Sequence, residues 1–367
     1  MTEHEPVRLT SNERISRHAY LFVAVWVIIV LLFYTLVGII GSNKMRKYKA
    51  ETQELRHDWI STMELDSVMP VSAPSATATQ VAVNVLVNSV GNFALREGRW
   101  DTDFDISFRW KGDAVDPGAT FQVVNGEILN REKEVSKIID GERFERYNVR
   151  ARMEQAFDPT RFPFSDAGLV VQIEDTSHDT EALRYQVYRS GVRLDPLAVS
   201  HGLKITRTYA GVKLYSYGQE SASTGKAEVH SRFVFAMFVE PRGIEIYMKM
   251  FQALFASVAI ALVVFFIKPT FVDPRFGLGV GAFFAAIGNN IFLVTLLPPA
   301  DRVTLTDMVN LVGLVTIFLT LVQSTISLHF CDTERYRLSR IFDRLCFPLF
   351  VIGYLAVNLL LPSMAKG

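Results

Sequence analysis

Two cysteines, Cys331 and Cys346, are all that 367 residues carry, and residues 42–246 have none. A disulfide-stapled fold is therefore excluded for that stretch, although an oxidising compartment would permit one. Net charge is also missing, because 38 Lys and Arg balance 38 Asp and Glu. A nucleic-acid binder needs a basic surface, so no nucleic-acid partner is expected. Catalytic signatures are absent as well: there is no nucleophile elbow, no phosphate-cradling glycine loop and no metal-ligand spacing. His201 and His230 stand too far apart in sequence to read as one site. The expectation is a protein that is not an enzyme and uses no cofactor or metal.

What the chain does have is apolar length. The run Tyr20–Ile40, "YLFVAVWVIIVLLFYTLVGII", holds 21 residues without a charge, and four further apolar runs follow Met248. About 20 apolar residues cross a bilayer, so five spans are expected with a soluble insert at 42–246. The first run exceeds the roughly 7–15 residues of a signal-peptide core, which favours an uncleaved anchor. The expected domains are a cytoplasmic tail (1–18), an anchor (19–41), a short helix and linker (42–79), a β-domain (80–243) and a four-helix domain (244–367). The linker is "MPVSAPSATATQ", rich in turn-forming residues.

Short-loop charge sets orientation. "CDTERYRLSRIFDR" holds Arg335, Arg337, Arg340 and Arg344, whereas "LPPADRVTLTD" holds only Arg302. The basic loops are expected in the cytoplasm, with the N-terminus inside and the β-domain and C-terminus outside. "NKMRKYK", after the anchor, places four basic residues on the outer side against this rule.

The insert alternates apolar and polar residues with period two, as in "VAVNVLVNSV", "TDFDISFRW" and "HSRFVFAMFVE". "FQVVNGEILN" carries a hairpin signal at Asn125-Gly126. Eight to ten such short strands predict an antiparallel β-sandwich. The fold class is an α+β membrane protein: an outer β-sandwich, then four transmembrane helices, with one extra span in front.

Between these strands lies Phe157–Gly168, "FDPTRFPFSDAG", with three phenylalanines, two prolines and two aspartates. "QAFDPTRFPFSDAGL", "FDISFRWKG", "SRFVFAMFVEPR", "DPRFGLGVGAFFAAIGNNIFLVTLLP" and "ADRVTLTDMV" occur in that order. Together they resemble the pentameric ligand-gated ion channel (Cys-loop receptor) superfamily, bacterial type, over residues 80–362. Gln155 and Leu169 stand where the signature cysteines would be, and Ser165 stands where the family has aspartate, with Asp166 one place later. The resemblance implies a homopentamer in a bacterial inner membrane, passing ions and gated by a small-molecule agonist or pH. It also implies a gating interface of Asp158, Phe162, Pro163 and Phe164 against Pro298, Pro299 and the linker to Thr304, with Arg242 before the first pore-domain helix. The three phenylalanines closing the sandwich's own lower core is the other reading.

In the second pore-domain helix, predicted at 276–297, Gly277, Gly281, Phe284, Gly288, Ile291 and Thr295 recur at spacings 4, 3, 4, 3 and 4. The family register places the same residues on the pore axis. A ring of Phe284 would close such a pore by dewetting. Alternatively the small residues serve helix packing and another face lines the lumen. Asn289 and Asn290, one step off the stripe, should hydrogen-bond neighbouring helices or pore water. Asp273 and Arg275 mark the expected cytoplasmic mouth, and the acidic member tilts the choice toward cations. The agonist candidates by resemblance are Phe108, Trp110, Tyr185, Tyr188, Tyr209, Tyr215 and Tyr217, whose rings suit a cation; core or rim packing is the plain alternative. His178, His201 and His230 are candidates for pH-sensitive gating. A non-conducting receptor signalling through its N-terminal segment is the competing function.

Overall fold

The computed structural model describes residues 17–68, 78–195, 198, 203–220, 227–241 and 243–366. The chain divides into two compact units. One is helical and comprises the chain up to Arg46, Tyr247–Leu293 and Val303–Ala365. The other holds the sheets and comprises Lys47–Ile246, Val294–Arg302 and the last residues. Among the described residues, five helices are long and apolar enough to cross a membrane, so this is a membrane protein of mixed helix and sheet.

The first of these, α1, spans Arg17–Val68 without interruption. The expected break after Gly41 does not occur. Past the apolar run the chain continues with Lys, Arg, Ala, Glu and Gln, which are good helix formers, so nothing stops propagation. Later helices are α3 (Gly243–Val263), α4 (Val272–Leu296), α5 (Leu305–Asp332) and α6 (Tyr336–Ala365); α2 is a single turn, Pro117–Thr120. Thr304 and Asp307 form a reciprocal capping box that starts α5.

Within the helical unit α1 buries one seam: Val23, Trp26, Val30, Tyr34, Gly38, Gly41 and Met45. The Tyr34 hydroxyl shares a 2.9 Å hydrogen bond with Thr316 of α5, and its ring meets Phe350 of α6 edge-on at 6.4 Å. Gly353 makes room for that ring, since a Cβ there would strike it. Phe22 reaches Phe330 at 6.1 Å, and a Cβ on Gly41 would meet Leu361. The anchor thus runs antiparallel to α5 and parallel to α6 of its own chain.

In the sheet unit a five-stranded sheet has the order β4 (Gly126–Ile139), β5 (Glu142–Glu154), β2 (Arg99–Trp110), β1 (Thr79–Ala94), β7 (Leu183–Leu194). A four-stranded sheet has the order β3 (Phe121–Val123), β6 (Ala167–Asp175), β9 (Ala227–Pro241), β8 (Leu203–Glu220). Strict alternation puts Trp100, Phe104, Ile106, Phe108 and Trp110 of β2 inward. They share one core with Leu169, Ile173, Phe233 and Phe235 of the other sheet, and Phe104 meets Phe235 edge-to-face at 5.5 Å. Two expectations are corrected. β1 pairs β7 in parallel, so the sheets are not wholly antiparallel. The Asn125-Gly126 turn makes no hairpin, because β3 and β4 belong to different sheets; the turn carries the chain from one layer to the other.

Candidate pore face and gating loop

α4 has two distinct faces. Arg275, Gly279, Ala282, Ala286, Asn289 and Leu293 are buried against their own chain. Gly279 is tightly confined, since a Cβ there would run into Leu321 of α5. Asn289 finds an amide partner, donating from Nδ2 to Asn310 Oδ1 at 3.3 Å. The opposite face is the expected stripe: Gly277, Gly281, Phe284, Gly288, Ile291 and Thr295 are all exposed. A Cβ on any of its three glycines would meet nothing. Elsewhere the exposed helix faces carry large side chains, such as Leu21, Leu32 and Ile39 of α1 and Ile352, Leu355 and Leu359 of α6. Among the described residues, α4 is the helix that exposes glycine.

Asp273 is exposed at the foot of α4, but Arg275 is wholly buried. Its place at a mouth is therefore corrected. A guanidinium at this depth needs a counter-ion, and Asp343 on α6 supplies one: Arg275 Nη2 donates to Asp343 Oδ2 at 2.8 Å. Ser327 Oγ donates to the same oxygen at 2.9 Å, and Gln323 Nε2 to Oδ1 at 3.3 Å. The sequence reading passed over Asp343, Gln323 and Ser327. Asp343 is hidden among Arg337, Arg340 and Arg344 at the charged start of α6, and the signal that remained was Gln323 and Ser327, four residues apart on one face of α5.

In the sheet unit the neck of the 157–168 loop is closed by the Gln155 side chain. Gln155 Nε2 donates to the Gly168 carbonyl at 2.5 Å, and the Val170 N–H donates back to Gln155 Oε1 at 3.2 Å. Asn125 repeats the pattern two residues on, donating to the Val170 carbonyl at 2.8 Å and accepting from Gln172 N–H at 2.9 Å. Two amides thus satisfy a strand edge that would otherwise be unpaired. The phenylalanines separate. Phe157 packs on the sheets' shared core and meets Phe93 at 6.4 Å. Phe164 is buried over Gly243, beside buried Pro163, while Phe162 is half-buried. Asp158 accepts from the N–H and Oγ1 of Thr160, each at 2.9 Å, and lies within electrostatic reach of Arg302. Pro298 and Pro299 belong to the segment Val294–Arg302 of this same unit, and Arg96 donates to the Val294 carbonyl at 2.9 Å. Arg242 and His201 lie outside the described residues.

Three agonist candidates are corrected. Phe108, Trp110 and Tyr185 are buried in the sheets' core, and Phe108 stacks on Tyr185 at 6.2 Å. Burial pushes the Tyr185 phenol well above its ordinary value, with the charges of Asp175 and Glu174 adding to the effect. Tyr188 is half-buried with Arg109 and Arg189 over its ring, and Tyr209 is half-buried. Only Tyr215 and Tyr217 are exposed; their rings meet edge-on at 4.9 Å. The Tyr215 face is already covered by Arg232, at 4.0 Å. Arg232 also donates to Glu174 Oε2 at 2.8 Å, and Tyr217 Oη donates to Glu174 Oε1 at 2.9 Å. His230 joins this cluster, its Nδ1 set 3.1 Å from the carbonyls of both Asp175 and His178, so that nitrogen carries the proton. His178 Nδ1 lies 3.0 Å from Asp175 Oδ1. Glu174, Asp175 and Arg232 were not singled out in sequence, because alternating strands hide which polar residues turn inward.

Compared with known proteins, the chain matches no family model and no curated sequence.

Proposed function

We propose that five copies of this chain assemble around an axis as an ion channel of the Cys-loop receptor kind, with α4 lining the lumen. One observation carries the reading: Gly277, Gly281, Phe284, Gly288 and Ile291 lie on one exposed face of α4, which exposed Thr295 continues. Large apolar side chains face out on α1 and α6, whereas this face alternates Phe284 and Ile291 with three glycines and Thr295, which suits a lumen or a close neighbour. In this reading the two sheets are the receptor's outer β-sandwich, α3–α6 are its four-helix pore domain, and α1 is an added span. The membrane is a bacterial inner membrane, with the N-terminus in the cytoplasm and the sheets outside. Phe284 forms the apolar gate. With Arg275 withdrawn to Asp343, Asp273 is the exposed charge at the foot of α4, which supports cations. An ammonium agonist at Tyr215 would have to displace Arg232.

Purified protein in planar bilayers passes current in this reading, and Phe284→Ala raises the resting leak. Bilayers that stay silent with every variant would reject it. A receptor that does not conduct is the second reading, favoured by the uninterrupted course of α1. Deleting residues 1–41 separates the two, since a channel keeps its lumen and a tail-coupled sensor loses its output.

A further inference from the structure

The outer half of α1, from Lys47 onward, belongs to the sheet unit, and its polar contacts there are selective. Glu51 Oε2 accepts from Arg302 Nη1 at 2.7 Å, and the Arg302 guanidinium lies 5.9 Å from the Tyr48 ring. One helical turn further, Arg56 Nη1 donates to Asp166 Oδ2 at 3.1 Å and covers the Phe238 ring of β9 at 4.8 Å. Asp166 belongs to the 157–168 loop and Arg302 to the α4–α5 linker. Lys49 Nζ, just before Glu51, donates to the Lys366 carbonyl at 3.0 Å. This gives the basic run "NKMRKYK" a use at a helix C-terminus, where cations are favoured.

Between Thr52–Arg56 and the sheet lies a cavity of about 510 Å³, lined by Gln155, Asp166, Val170, Gln172 and Phe238 among others. The helix therefore stands off from the sheet at Thr52–Arg56. Among the contacts of the described residues, Glu51 and Arg56 reach the two segments. These positions are five residues apart on a stiff helix, so displacing one displaces the other.

We infer that the outer half of α1 is a clamp in the gating apparatus, with Glu51 and Arg56 as positioning residues that tie the α4–α5 linker to the 157–168 loop. The gating role rests on the channel reading; the clamp itself does not. A receptor without this helix would have to couple the two segments by direct contact alone, and here a third element holds both.

Hydrogen–deuterium exchange on the full chain in lipid nanodiscs tests the clamp without needing current. Glu51→Arg should speed exchange by about twofold to fivefold, the scale of a partly exposed ion pair, in residues 296–302 and also in 157–168. Arg56→Glu should do the same from the other side. The paired reversals, Glu51→Arg with Arg302→Glu and Arg56→Glu with Asp166→Arg, should restore protection. Unchanged exchange, or a change confined to the segment facing the substituted residue, overturns the clamp. Bilayer currents then bear on gating: a conducting wild type whose activation is unmoved by Glu51→Arg rejects the gating role, while a silent wild type rejects the channel reading and leaves the exchange result standing.

Discussion

Arg275 Nη2 and Asp343 Oδ2 meet at 2.8 Å with 1% and 9% of their side chains exposed. The guanidinium is only partly satisfied, because its Nε and Nη1 have no hydrogen-bond partner among the described residues. Removing one member of such a pair strands a charge, whereas replacing both removes the need for either. Asp343→Ala should therefore cost about 3–5 kcal/mol. Arg275→Met with Asp343→Leu should cost less than either single change. Thermal unfolding in detergent micelles, with the double-mutant cycle closed, is the measurement; a double variant worse than both singles would refute it.

Gln155 offers a second test. Its carboxamide serves a donor and an acceptor of β6 at once, so Gln155→Ala leaves both unpaired at about 1–3 kcal/mol. Gln155→Glu keeps the acceptor for Val170 N–H but loses the donor to Gly168. The expected order of stability is Gln, then Glu, then Ala. Amide exchange at Val170 should follow that order; equal exchange in all three would show that the neck is held otherwise.

Glu145 links stability to pH. Burial would raise its carboxyl, but hydrogen bonds from Tyr147 at 2.6 Å, Lys133 at 2.9 Å and Ser136 at 3.0 Å outweigh that and hold it below its ordinary 4.5. Below 4.5 the unfolded chain takes up a proton that the folded chain refuses. The stabilisation is thus complete above that pH and is lost as pH falls through the lower folded value. Melting temperature measured from pH 6 to 3 should fall less steeply in Glu145→Gln than in wild type. Parallel curves would exclude Glu145 as a source.

The anchor's docking makes a steric prediction. A Cβ on Gly353 would strike the Tyr34 ring, and overfilling a packed site costs about 1–3 kcal/mol. Gly353→Ala should loosen α1 from α5 and α6, and Tyr34→Ala in the same chain should recover part of the loss. Unfolding in detergent measures both; an unaltered Gly353→Ala would mean that the helix is not seated there.

Much of this architecture was legible because period-two and long apolar patterns are local. β2 alternates as read, and the α4 stripe is exposed on the spacing predicted from Gly277 to Thr295. What was missed depends on pairing across the chain. No local pattern says that Asp343 answers Arg275, or that Asn125 serves β6 and makes no hairpin turn. Aromatic residues on alternating strands do not announce which face is shared, so Phe108 and Tyr185 were open between an agonist site and core packing, and they are core. The apolar run ends at Ile40, and helix formers carry α1 past it to Val68.

The face of α4 can be read directly by thiol chemistry. Both native cysteines are free and buried, so background labelling should be low. Single cysteines replacing Gly281, Phe284, Gly288 or Ile291 sit on the free stripe, and replacements of Ala282 or Ala286 sit on the buried face. If the stripe borders water, a charged methanethiosulfonate should label the first group nearly completely and change the current, while the second group stays inert. Water is needed because thiolate is the reactive form and a charged reagent does not partition into hydrocarbon. If the stripe instead faces lipid, its thiols stay protonated and the charged reagent should miss both groups. That second pattern would remove α4 as the lining helix.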